Sequence, residues 1–81
     1  MTESSIKKLG FERINISAEE SGDHDYYYYA YKIGHIDLIS NSNDNIQDGI
    51  WIVEILEGDI QFYDYSELKN AIKILERNKI N

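Results

Sequence analysis

The side chains best suited to chemistry in this chain are two histidines among acids, a polar loop and a run of tyrosines. His24 stands between Asp23 and Asp25, and His35 lies two positions from Asp37. Imidazole and carboxylate can bind a divalent metal, but a protein site needs three or four ligands that converge. No grouping in the sequence has such spacing, so both histidines are read as surface residues. Asn43, Asn45, Gln47 and Glu54 echo the first, third, fifth and twelfth positions of a calcium loop. The glycine that such a loop needs at its sixth position is replaced by Asp48, and strand-like segments stand where helices should flank it. The segment reads instead as a turn-forming loop. Glu19 and Glu20 are adjacent in a polar stretch, with nothing apolar to raise a carboxyl pKa for general acid–base work. No serine sits in a glycine elbow, and no glycine-rich loop precedes a helix. The chain is read as a non-enzyme, with no catalytic residue, metal or cofactor.

The tyrosines remain. Residues 26–33 read YYYYAYKI. Tyrosine favours strands over helices, and side chains alternate across a strand. Tyr27, Tyr29, Tyr31 and Ile33 therefore share one face, and Tyr26, Tyr28, Ala30 and Lys32 the other. The first set is the more apolar and is assigned to the core, with the hydroxyls reaching water at its edge. The second set needs another purpose.

The elements that position these residues follow from pattern. Ser4–Gly10 is expected to form one or two helical turns, with a serine cap and a glycine stop. Phe11–Ile16 is a short strand and Ser17–Asp25 an acidic loop. Gly34 makes a tight hairpin turn after the tyrosine strand. His35–Ser40 forms the next strand, and Asn41–Gly49 a loop. Ile50–Leu56 is the most apolar strand, and with Glu54 outward it turns Trp51, Val53 and Ile55 inward. Glu57-Gly58-Asp59 is a second tight turn, and Ile60–Tyr63 a last strand with Ile60 and Phe62 inward. Asp64-Tyr65-Ser66-Glu67 has the spacing of a capping box. It opens a helix to about Asn78 whose apolar stripe is Leu68, Ala71, Ile72 and Leu75, with Ile74 at its margin. The expected fold is α+β, one domain over residues 1–81. A four- to five-stranded antiparallel meander carries a C-terminal helix on one face and a short N-terminal helix.

That arrangement leaves an outer sheet face bearing Tyr26, Tyr28, Ile39, Ile50, Ile52, Leu56 and Tyr63, mixed with Asp37, Glu54, Lys32 and His35. Either the N-terminal segment folds over it, or the tyrosines merely pair across strands, or it meets a partner. Charge bears on the choice. The chain has 15 acidic and 8 basic residues, a net charge of −7. Residues 14–68 hold twelve acids against Lys32 alone, a net −11. Such a field repels nucleic acid and attracts basic surfaces, and it also favours solubility. Direct nucleic-acid binding is excluded because phosphate contacts need lysine and arginine. The chain has no cysteine, which excludes disulfides and thiolate zinc sites and fits a reducing compartment. It shows neither a secretory h-region nor a membrane span. A soluble cytoplasmic protein is expected.

The function expected from these features is binding to a basic protein partner through Tyr26, Tyr28, Asp23, Asp25, Asp37, Glu54 and Tyr63. Carboxylates would take the place of phosphates against arginine and lysine, and tyrosines would be the desolvated anchors. A self-associating accessory module, dimeric through the outer face, is the alternative. An immunity protein that neutralises a toxin would use the same physics. In layout, the LGFERI opening, the YYYYAY and GIWIVEIL strands and the terminal YSELKNAIKILERN helix resemble small acidic proteins of phages and mobile elements, anti-CRISPR proteins among them. The resemblance implies an inhibitor that binds a nuclease or RNA-guided effector directly. It assigns no residue a role.

Overall fold

The computed structural model describes residues 1–56 and 58–79. Its elements are α1 (Glu3–Lys8), β1 (Glu12–Ile16), α2 (Ala18–Ser21), β2 (Tyr26–Ile33), β3 (Ile36–Ser40), a 3-10 turn at Asn43–Asn45, β4 (Val53–Ile55), β5 (Gln61–Phe62) and α3 (Tyr65–Asn78). The strands form one five-stranded antiparallel sheet in the order β1-β2-β3-β4-β5. The α+β meander with a helix near each end is therefore the fold. Among the described residues no helix is long and apolar enough to cross a membrane. Of the second tight turn, Glu57 lies outside the described residues.

Both α1 and α3 cover the same face. Ile6 of α1 and Leu68 and Ile72 of α3 join Phe11, Tyr29, Ile33, Leu38, Trp51 and Val53 in one buried cluster. Tyr29 is 1% exposed, so its hydroxyl does not reach water as expected. It donates instead to Glu3 Oε2 at 2.6 Å, which fastens the first turn of α1 to the centre of the sheet. Tyr27 and Tyr29 meet edge to face at 6.0 Å, and both lie against Trp51. Burial and the Glu3 carboxylate push the Tyr29 phenol up to about 12.

Local chemistry explains most boundaries and corrects some expectations. Thr2, not a serine, caps α1 by accepting from Ser5 N–H. Gly10 then takes a φ of +94°, a left-handed turn that a side chain would resist, and Phe11 drops into the core as β1 begins. The expected loop after β1 contains α2, because Ser17 Oγ accepts from Glu20 N–H and Asp25 Oδ1 from Ala18 N–H. Gly34 has a φ of +60° in the two-residue turn between the paired Ile33 and Ile36. His35 belongs to that turn rather than to a strand. The strand expected over Ile50–Leu56 shortens to Val53–Ile55, because Trp51 bonds to the N-terminus. Its N–H donates to Met1 O, and the Met1 ammonium donates to Trp51 O and Tyr63 O. Ile60, expected inward, stands just before β5 and is 54% exposed.

Asp64 caps α3, accepting from Glu67 N–H at 3.2 Å. The reciprocal bond expected from Glu67 is not formed among the described residues. With that single cap bond, Asp64→Ala should cost about 1 kcal/mol, read as a lower urea midpoint at unchanged slope.

Candidate functional site

The placement of both helices on the inner face decides the state of the other. The N-terminal segment does not fold over the outer face. Alternation along β2 presents Tyr26, Tyr28, Ala30 and Lys32 there, and all but the exposed Lys32 are half-buried. The neighbouring strand adds two residues that the sequence reading left without a side. Ile14 stands opposite Tyr28 and Ile16 opposite Tyr26. Their period-2 spacing was a signal, but the length and phase of β1 depend on the turn at Gly10. Across the sheet, Glu12, Ala30, Ile39, Glu54 and Gln61 form one continuous cross-strand row. Beside that row, Ile52 lies opposite Asn41, which both donates to and accepts from it. The face thus has an apolar and aromatic centre, Ile14, Tyr28, Ala30 and Ile39, with carboxylates at Glu12 and Glu54 on either side. Cross-strand contacts of this kind stabilise the sheet modestly, and they leave Tyr26 and Tyr28 partly exposed.

The remaining residues expected at the site distribute around this centre. Asp37 lies opposite Lys32, and their opposite charges favour that pairing. Glu54 Oε2 accepts weakly from Gln61 Nε2 at 3.4 Å. Tyr63 is 58% exposed and donates its hydroxyl to Gln61 Oε1, on the same side. Asp23 and Asp25 sit at the β1–β2 end, away from the Glu54 flank, and both have intramolecular partners. Asp25 holds α2, and Asp23 holds His24.

His24 makes a clasp there. Its Nδ1 lies 2.9 Å from Asp23 Oδ2 and its Nε2 2.7 Å from Asp44 Oδ2, which ties the start of β2 to the 3-10 turn. Hydrogen bonding to Asp44 first, then to Asp23, raises the imidazole pKa above 6.5. Asp44 is lowered, chiefly by the Ser42 hydroxyl and then by His24. A raised histidine pKa stabilises the folded state below the unfolded value, and that gain is lost as pH rises through the folded one. The loop contact should therefore weaken from pH 6.5 upward. The measurement is the His24 ring resonance through a pH titration. It should titrate above 6.5 in the wild type and move toward that value in Asp44→Asn.

A cleft of about 490 Å³ opens at the β1–β2 end, lined by Arg13, Asn15, Ile16, Tyr26 and Tyr27 among others. The Arg13 guanidinium covers the Tyr27 ring at 3.6 Å and donates from Nε to Asn15 Oδ1. One cation, Arg13, and the carboxylates of Glu20 and Asp25 line it, and the Ser17 hydroxyl donates to Glu20 Oε1 at 3.3 Å.

No protein-family model, curated protein or solved structure matches the chain.

Proposed function

We propose that this protein is a non-enzymatic binding module whose outer sheet face docks on a basic protein, most specifically as an inhibitor of a nucleic-acid-handling effector in the manner of anti-CRISPR proteins. The observation that supports it is the uncovered face itself. Tyr26 and Tyr28 stand beside Ile14, Ile16 and Ile39, with Glu12 and Glu54 flanking the centre. Monomeric proteins rarely leave a contiguous apolar patch open without a use. Tyrosine anchors with a charged rim are typical of protein interfaces. The net −11 of residues 14–68 complements a surface of lysine and arginine, and it would steer such a partner by long-range attraction.

The test is paired capture from a lysate of the natural host, with wild-type protein and Tyr26→Ala/Tyr28→Ala as baits and elution by stepped salt. The reading expects a basic nuclease or RNA-guided effector held by the wild type, absent from the variant and released by moderate salt. Capture of equal sets by both baits would remove the outer face from the reading. With the partner in hand, Glu54→Lys should slow association roughly 3- to 10-fold and flatten its salt dependence. Reversal at Asp37 is the poorer probe, since it would put a like charge opposite Lys32.

A further inference from the structure

The sheet has two unequal edges. β5 is two residues long, and the N-terminal ammonium binds Tyr63 O just beyond it. β1 is a regular strand of five residues, paired residue for residue to β2 with no bulge and no proline. The orientation of its main chain follows from β2. Tyr29 N–H donates to Ser40 Oγ and Tyr27 N–H to Asn43 Oδ1, both on the β3 side. Odd-numbered residues of β2 therefore turn their main chain toward β3, and even-numbered ones toward β1. In the observed register, Glu12, Ile14 and Ile16 bond to β2. Arg13 and Asn15 aim their N–H and C=O groups out of the sheet edge, and among the described residues no main-chain group meets them. An open edge of this kind is a template for another strand.

We infer that the strand it takes is β1 of a second copy of this chain, joining two sheets antiparallel about a two-fold axis at Ile14. The pattern of β1 is self-complementary in that register. Arg13 pairs with Asn15 of the other copy through the free main-chain groups of both. Ile14 faces Ile14, and Glu12 faces Ile16, so no like charges oppose each other. Sliding the axis to Arg13 would set guanidinium against guanidinium, which disfavours that register. Arg13 is itself folded down over the Tyr27 ring, so its charge does not guard the edge. The pairing also makes the Ile14, Ile16 and Tyr28 patches of the two copies continuous. This contact runs along the main-chain edge of β1, whereas the docking proposed above rests on Tyr26 and Tyr28.

Sedimentation or light scattering across a concentration series, with amide exchange by NMR on the unmodified chain, tests it. The expected result is a mass rising toward twice the 9.5 kDa of one chain. The Arg13 and Asn15 amides should slow at least 10-fold as the mass doubles, while those of Ile14 and Ile16 stay protected throughout. Asn15→Pro removes an outward N–H at a position where an edge strand tolerates proline, and it should hold the protein at the single-chain mass. Tyr26→Ala/Tyr28→Ala should still dimerise. A single-chain mass up to about 1 mM would overturn the inference. So would a dimer in which the Arg13 and Asn15 amides exchange as fast as in the monomer, since the copies would then meet elsewhere.

Discussion

Tyr29→Ala is expected to destabilise the protein by about 3–5 kcal/mol, whereas Tyr28→Ala, one residue away, should cost less than about 1 kcal/mol. The two side chains have the same composition and opposite surroundings. Tyr29 is among the largest fully buried side chains, packed against Trp51 and Tyr27. Its removal empties the centre of the core and strands the Glu3 carboxylate that its hydroxyl holds. A chain of this length has roughly 4–12 kcal/mol of stability in all, so Tyr29→Ala should lower the melting temperature by about 12 °C or more. Tyr29→Phe keeps the ring and loses only the bond to Glu3, at about 1–2 kcal/mol. Urea denaturation of the three variants decides the matter. Equal losses for Tyr28→Ala and Tyr29→Ala would contradict the assignment of the two faces. The Tyr29 phenol gives a second readout. Its raised pKa contributes stability that is complete below pH 10 and lost as pH rises through about 12. Absorbance of the phenolate during alkaline titration should therefore show one tyrosine ionising near 12, coincident with unfolding.

Tyr26→Ala with Tyr28→Ala should weaken partner binding by roughly 30- to 1,000-fold, which corresponds to about 2–4 kcal/mol for two anchor residues. Binding is measured by titration calorimetry or surface plasmon resonance against the partner found by capture. The far-ultraviolet dichroism and urea midpoint of the variant should stay close to wild type, because neither ring belongs to the buried cluster. The loss should fall mainly on the dissociation rate, since the acids that steer the encounter are untouched. Binding unchanged by the double substitution would show that the partner uses another surface, and the docking proposal would fail.

Much of the architecture was legible because it rests on local rules. The alternation in YYYYAYKI places Tyr27, Tyr29 and Ile33 inside, since a strand has a period of two whatever surrounds it. Gly34 closes the hairpin through backbone freedom, and Asp64 caps α3 through a side chain three residues from its donor. Leu68 and Ile72 are buried at helical spacing. Less legible were features that depend on contacts distant in sequence. Nothing near Ile50 predicts that Met1 will bond to Trp51 and shorten the strand. Nothing near Ile60 says that it will stay exposed. The phase of β1 follows the turn at Gly10, and so the membership of Ile14 and Ile16 in the outer face did as well.

Composition and pattern by themselves determined the fold class, the two-faced tyrosine strand and the acidic field, because propensity, periodicity and charge need no knowledge of neighbours. Pattern pointed to Tyr27, Tyr29 and Ile33 as the core side, and only the tertiary structure decided that the N-terminal segment leaves the other face open. Amphipathic segments such as α1 and α3 can cover either side of a sheet as far as their own pattern is concerned. The choice was made by long-range contacts, in which Ile6 found the core and Glu3 found the Tyr29 hydroxyl. With both helices committed to that side, Tyr26 and Tyr28 were left on the other.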